Sequence, residues 1–401
     1  MSGEIEHNLP VMEDDPYSAE NLADPYPLFK RMRDAGHGVW LEKYGVPAFT
    51  RFDMVREILV DHATFLSGAG VGPRNYHHQP PWRKPGILDS DPPMHTPLRT
   101  AMADVVSPRN MRTLREGFQT FATELVDRIL DEREFDAITE FAEQFPLRVF
   151  GDAVGIPRAG RKENLLAHGA MNFSQFGPED ARYEQYMAAG AHTVDWVTNA
   201  CARENLTSDG LGAKIWAHAD AGAIEPEEAA VLVRALLSAG LDTTALSIGN
   251  TAGCLASRPQ QWARLRENPR LVRFAIDEAL RFESPFQSFF RTTSRAVDFH
   301  GVRLAEDSKL VVFPGASNRD ERRWGSDADQ YDVERQAGGH LAFGMGIHQC
   351  VGQPIARLES EVLFGELVKR TASIEPSGPP VPFLHNTLRG WVSLPLRVVP
   401  A

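Results

Sequence analysis

Cysteine is scarce: the 401 residues contain only three, at 201, 254 and 350. So few, so far apart, supply neither a disulfide framework nor a paired zinc pattern. Long apolar runs are also missing. No stretch of 18 or more uncharged apolar residues occurs, so no segment reads as a membrane span. Clustered cations are lacking, and the formal net charge is −12. That balance argues against nucleic acid as the main partner, because phosphate binding needs concentrated positive charge. The opening "MSGEIEHNLPVMEDDPYSAE" is acidic and polar, unlike a signal peptide. A reduced, soluble, cytoplasmic protein is the expectation. No Ser/Gly linker, repeat or low-complexity tract divides the chain, so residues 1–401 are expected to form one large domain. The longest Gly/Pro-rich stretch, 66–93, reads as a working loop.

What is present is mostly helical periodicity, with small β-sheet regions. A hairpin is expected over 38–52, turning near Tyr44-Gly45, and strands over 289–313, turning near Gly301 and Asp307. A final strand pair is expected in 388–399. The clearer helices are 53–61, 95–106, 109–131, 226–257, 260–267, 269–282 and 351–369. The helix at 226–257 opens with Pro226 and acids in its first turn, which suit a helix start. At roughly 1.5 Å per residue it spans about 48 Å, enough to cross a domain. Its middle, "LLSAGLDTTALSIGN", sets Gly240 beside Asp242, Thr243 and Thr244. Mid-helix threonines bond back to carbonyls and bend helices, so a weakened polar turn is expected there.

The stretch "HLAFGMGIHQCVGQPIARLESE" surrounds Cys350 with three glycines, Phe343 and His348. Three readings compete. A buried thiol is the commonest fate of a cysteine. A nucleophile paired with His348 would also want an oxyanion hole and an orienting group. A metal ligand must be a thiolate, and a lone cysteine makes neither a zinc nor an iron–sulfur site. It does suit an iron whose equatorial ligands come from a porphyrin. Gly344 and Gly346 then allow close approach to a flat macrocycle, and Phe343 shields the sulfur. The N–H groups opening the next helix face the anion, while His348 neutralises a porphyrin carboxylate.

On these residues the sequence resembles the cytochrome P-450 family of haem-thiolate monooxygenases. "FGMGIHQCVG" fits that family's F-x-x-G-x-[HR]-x-C-x-G loop at every fixed position. "AGLDTT" (239–244) matches its kinked oxygen-binding turn, "EALR" (278–281) its E-x-x-R pair, and "HTPLR" (95–99) an H-x-x-x-R pair. The resemblance implies that fold, a mainly α haem-binding domain with a long central helix, and haem b (iron-protoporphyrin IX) as cofactor. Cys350 would be the iron ligand, with His95, Arg99, Arg291 and His348 on the haem propionates. Thr243 would hold dioxygen and Asp242 would relay protons. One departure stands out: Gln330 occupies the place where the family usually has an Arg or His completing the E-x-x-R network. Arg319 and Arg323 are the substitutes considered.

Electrons would come from an iron–sulfur ferredoxin and its NAD(P)H reductase, because no strand–G-x-G-x-x-G–helix or cysteine cluster is present. Arg109, Arg112, Arg115 and Arg357 could form a basic docking face. "VLVRALLSAGLDTT", "FESPFQSFFRTT" and "NTLRGW" resemble the bacterial subgroup that oxidises para-substituted benzoates, including O-demethylation of 4-methoxybenzoate. That likeness implies a small aromatic carboxylate substrate. Arg83 and Ser238 would hold its carboxylate, with Arg234, Ser238 and Asp242 in line at i, i+4 and i+8. Phe173, Phe176 and Phe289 would pack its ring, and Leu88 and Val392 would complete the wall. Ala235 and Gly86 stand where the subgroup tends to have serine, which loosens or shifts the expected carboxylate site. The alternatives are a neutral aromatic or terpenoid substrate, and a haem sensor, which would need no proton relay.

Overall fold

The computed structural model describes residues 8–81 and 84–401. Helices dominate, and the strands form four small sheets among these residues. The central helix runs from Pro226 to Ala256, held at its start by a reciprocal Glu225–Glu228 capping box. That arrangement satisfies N–H groups the first turn leaves without partners. Helices Gln144–Val154, Arg161–Ser174, Leu211–Asp220 and Val272–Glu283 pack around it. Leu232, Val233, Leu236, Leu237, Leu241 and Ile248 are buried there, each worth about 1.5–3 kcal/mol relative to exposure. Among the described residues this is the one helix long and apolar enough to cross a membrane, and most of that stretch is buried in protein. It is a core helix.

The expected break at its middle is absent. The α-helix continues through Gly240–Thr244, and Thr243 Oγ1 donates to the Ala239 carbonyl at 2.7 Å. The back-bond expected at this turn occurs, within one continuous helix. Helix Gln353–Arg370 lies against Pro108–Glu132 and meets the central helix, which brings the cysteine loop beneath the latter.

The largest sheet has six strands in the order Val11–Met12, Val39–Leu41, Val46–Phe49, Lys309–Val312, Phe289–Thr293, Phe65–Leu66. Its hairpin turns at Tyr44-Gly45 as expected, with both N–H groups on the Leu41 carbonyl. Strand Phe289–Thr293 pairs with Lys309–Val312, and the hairpin Val297–Phe299/Val302–Leu304 lies between them in sequence. The expected pairing within 388–399 is wrong. Trp391–Ser393 pairs with Val381–Pro382, whereas Pro395–Pro400 pairs with Thr371–Pro376 and Glu134–Asp136. A single residue, Leu394, separates the two strands, too short a link to fold one back on the other. Asp136 holds that junction through Ser393 and Leu394. Further helices went unread, among them Tyr26–Ala35, Arg161–Ser174, Ala181–Gly190 and Leu211–Asp220.

Candidate active site

The cysteine loop is shaped by backbone requirements. Gly344 and Gly346 have φ of 64° and 74°, where a side chain is strained. A Cβ on Gly346 would also lie 2.4 Å from the Leu59 carbonyl oxygen. The Cys350 N–H donates to the Phe343 carbonyl at 2.7 Å, closing the loop. Although enclosed by protein, Cys350 has accessible surface, so it opens onto the interior. Burial pushes its thiol pKa up, opposed by the N–H groups of Gly352 and Gln353 and by Arg99 and Arg357. Bonding to a metal would ionise it outright. Phe343 is flanked by His340, with ring centres 5.5 Å apart, and by the Arg357 guanidinium 4.8 Å above its ring.

Four cationic or donor groups gather near this loop. The His95 and His348 rings lie 4.5 Å apart, and both Nε2 atoms are buried without a hydrogen bond. His348 Nε2 is 3.5 Å from Asp91, which anchors the loop at Ser67 and Gly68 through their N–H groups. Burial lowers the His95 pKa to about 4, helped by His348 and Arg99. Buried Arg291 makes one hydrogen bond, to the Phe290 carbonyl at 2.8 Å, and burial lowers its pKa to about 10. Arg99 donates to the Gln349 carbonyl at 2.5 Å. Buried donors without acceptors are costly. A cofactor carrying two carboxylates would satisfy His95, His348 and Arg291 together, so the residues fit the porphyrin. Among the described residues no cluster of three or more His, Cys, Asp or Glu is arranged to hold a metal alone.

One side of the central helix is less enclosed than the rest. Ala239 is exposed, and Val231, Arg234, Ala235, Ser238, Thr243 and Leu246 are half-buried within a helix otherwise enclosed. Asp242 continues the Arg234–Ser238 stripe, but it is buried. Its carboxyl turns toward Gly169 of helix Arg161–Ser174, with Oδ2 buried and unpartnered. Burial, then the nearby charge of Glu143, holds its pKa well above the carboxylate range. Ser238 Oγ faces the same helix and accepts from Asn172 at 3.4 Å. Arg234 lies close enough to His168 to help burial lower that histidine's pKa to about 4.

Phe173, Phe176 and Phe289 do come together, through a fourth ring the sequence reading missed. Phe286 lies 5.7 Å from Phe173, 6.0 Å from Phe176 and 5.5 Å from Phe289, nearly parallel to the last at 11°. Phe289 in turn lies under the Arg291 guanidinium at 4.7 Å. At one end the rings reach the carboxylate cradle through Arg291, and at the other Phe173 follows Asn172 on helix Arg161–Ser174.

Two expected wall residues are not supported. Val392 is 51% exposed, because strand alternation turns it away while Trp391 and Gly390 approach Gly253 and Leu246 of the central helix. Leu88 is 37% exposed, and its neighbour Ile87 packs on the core instead. Arg83 lies outside the described residues.

The Glu278–Arg281 pair is fully buried and bidentate, at 2.6 and 2.7 Å. Neither proposed substitute completes it. Arg319 stacks on Tyr26 and Phe282 and pairs with Glu283, while Arg323 covers Phe52 and Trp324. The third member is Arg335, whose Nε reaches Glu278 at 3.1 Å. Gln330 contributes only its carbonyl, to Arg281 at 3.0 Å.

Comparison with known proteins agrees with this geometry. The cytochrome P450 family model matches residues 202–397. The chain is 45% identical over 395 residues to cytochrome p450 CYP199A2 of Rhodopseudomonas palustris, covering 98% of this chain and 95% of that one. It is 33% identical over 324 residues to cytochrome P450 107B1 of Saccharopolyspora erythraea, covering 78% and 77%. The solved structure of cytochrome P450 CYP109Q5 from Chondromyces apiculatus matches with a TM-score of 0.81 at 28% identity, covering 97% and 99%. The likeness first carried by a few short motifs thus extends along almost every residue, and the chain belongs to the cytochrome P450 family of haem b monooxygenases.

Proposed function

We propose that this monooxygenase acts on a small aromatic acid, by O-demethylation or hydroxylation at the para substituent of a benzoate such as 4-methoxybenzoate. The observation that carries the reading is the phenylalanine cluster 173/176/286/289, which reaches Arg291 of the cofactor cradle, with the Asn172–Ser238 pair held by the same helix as Phe173. Faces and edges of that kind suit a flat ring, and a polar end opposite the reacting end suits a substrate with one charged group. Arg83 is the cation proposed to join Ser238 there.

Cys350 would be the iron's protein ligand, and His95, Arg99, Arg291 and His348 would hold the cofactor's carboxylates. Bound there, haem b supplies dioxygen activation, favoured by electron donation from the thiolate. The chain's own part is proton control. Thr243 presents its hydroxyl on the open face of the central helix, where it is proposed to position dioxygen. Asp242, whose pKa burial and the nearby Glu143 push up, is the proposed proton donor.

A ferredoxin with its NAD(P)H reductase is the proposed electron source for residues 1–401 acting as one cytoplasmic domain. Exposed Arg109 and Arg112 on helix Pro108–Glu132 support a docking face next to the cysteine helix. Arg357 contributes less, being held by Asp277 at 3.0 Å, and Arg115 lies 3.9 Å from Glu361.

A titration panel followed in the haem optical spectrum tests the substrate. Para-substituted benzoates should bind at least tenfold more tightly than their methyl esters, a difference of about 1.4 kcal/mol. Equal binding of acids and esters would remove the carboxylate site. Tighter binding of terpenoids would favour the neutral-substrate alternative.

A further inference from the structure

We propose that Gly169 is a positioning residue for the proton relay: its bare Cα forms the berth in which the Asp242 carboxyl rests, off the open face of the central helix. The proposal rests on the relay role given to Asp242 above. A Cβ built on Gly169 would lie 1.2 Å from Asp242 Oδ2, 2.3 Å from its Cγ and 2.9 Å from Oδ1. The three nearest atoms are therefore all of one carboxyl group. Other glycines on and near this helix differ. A Cβ on Gly240 would meet the Phe150 ring, and one on Gly249 would meet Ile138, as expected of glycines that let apolar elements approach. Gly169 instead makes room for an acid.

The berth is dry. Asp242 is 8% exposed, and its Oδ2 has no hydrogen-bond partner. Glu143, half-buried at the start of helix Gln144–Val154, is the charged group that bears on it, with Lys162 near Glu143 in turn. His168, beside Gly169, bonds to Thr193 and is kept neutral by burial. An uncompensated carboxylate in such a place is strongly disfavoured, and the group keeps its proton. Thr243 meanwhile presents its hydroxyl on the open face, bonded to Ala239. The acid is shut in against helix Arg161–Ser174 while the hydroxyl is accessible, so delivery requires Asp242 to swing out of the berth.

Helix Arg161–Ser174 carries Asn172 and Phe173 as well as Gly169. Substrate resting on Asn172 and the phenylalanines would fix the position of that helix, and with it the berth. Occupancy and proton delivery are thereby coupled through one element.

The test uses holoenzyme with ferredoxin and reductase, comparing wild type, Gly169→Ala, Asp242→Ala and the double variant. Product per NADH should fall several-fold in Gly169→Ala while substrate affinity stays within twofold. In the Asp242→Ala background, adding Gly169→Ala should change nothing further. A second readout needs no turnover: the infrared C=O band of a protonated carboxyl, assigned by its loss in Asp242→Asn, should shift or vanish in Gly169→Ala. Should Gly169→Ala not fold, the double variant should fold, because the clash is with the carboxyl alone.

Unchanged coupling in Gly169→Ala, a persisting band, an additive loss in the double variant or a double variant that also fails to fold would each overturn the berth. If Asp242→Ala itself leaves product per NADH unchanged, the relay reading fails, and the berth loses its purpose with it.

Discussion

Arg335, five residues beyond the position where the sequence shows a deficit, offers a quantitative test of how the core is tied together. Glu278 and Arg281 are both 0% exposed. All five guanidinium N–H donors of Arg281 are used: two on Glu278, and three on the carbonyls of Asn318, Ala328 and Gln330 at 2.7, 2.8 and 3.0 Å. Glu278 also accepts from Arg335 Nε at 3.1 Å and from the Asp332 N–H at 3.2 Å. Replacing Glu278 with Ala strands a buried guanidinium, which costs about 3–5 kcal/mol. Arg335→Ala is milder, because Glu278 keeps Arg281. It removes one buried charge-assisted bond, worth about 1.5–3 kcal/mol. It also removes a pair with half-exposed Asp327, worth about 0–1 kcal/mol after solvent screening. The expected total is about 2–4 kcal/mol, a large part of a stability that is typically 5–15.

Denaturant titration of holoprotein, read by haem absorbance and far-ultraviolet circular dichroism, measures these differences. Gln330→Ala should stay within about 0.5 kcal/mol of wild type, since only its carbonyl is used. Arg323→Ala should lose no more than about 1 kcal/mol of ring contact. A loss for Gln330→Ala equal to that for Arg335→Ala would refute the reasoning, as would a cost below about 1 kcal/mol for Arg335→Ala.

Other outcomes follow from the same coordinates. Thr243→Ala should leave NADH consumption running while product per NADH falls and peroxide rises, measured side by side; an unchanged yield would end its proposed role. Phe286→Ala should weaken binding of aromatic acids about tenfold, given ring-pair energies of about 0.5–1.5 kcal/mol each, whereas Val392→Ala should shift it less than twofold. Lys309 bonds the Ala69 and Gly70 carbonyls, and burial, aided by Arg291, lowers its pKa to about 7. The unfolded chain, with a lysine pKa near 10.4, then binds more protons than the folded one between those values. Stability should therefore rise with pH from about 7 toward 10. Lys309→Met should flatten that slope in pH-resolved denaturation, and an unaltered slope would show that Lys309 does not titrate there.

The parts of this molecule that could be read in advance are those whose physics is local. The cysteine loop needs positive φ at Gly344 and Gly346 and a helix start just after the sulfur, and all of that lies within about a dozen residues. The hairpin at Tyr44-Gly45 and the central helix with its Pro226 start are equally local. The Glu278–Arg281 pair is one helical turn apart. Its third partner is 57 positions from Glu278, and what lies at residue 330 is a backbone carbonyl, which any amino acid supplies. The identity of Gln330 therefore held no information about the network, and the substitute, Arg335, lay on the C-terminal side of it rather than among the arginines before it.

The reacting side of the site was harder for a related reason. The spacing of Arg234, Ser238 and Asp242 correctly places them along one stripe of the central helix. Spacing alone, however, cannot say whether a stripe faces a cavity or another helix. That choice is made by the neighbour. Helix Arg161–Ser174 brings a glycine to Asp242 and so encloses it, whereas the asparagine it brings to Ser238 leaves that hydroxyl half-buried on the open side. Val392 is turned away by alternation along its short strand, and Leu88 sits in a turn where its neighbour Ile87 takes the packed position. Phe286 was overlooked because it is separated by more than a hundred residues from two of the rings it joins. A haem ligand can be found from the chain alone; the side on which the proton waits depends on a helix whose own sequence gave no such signal.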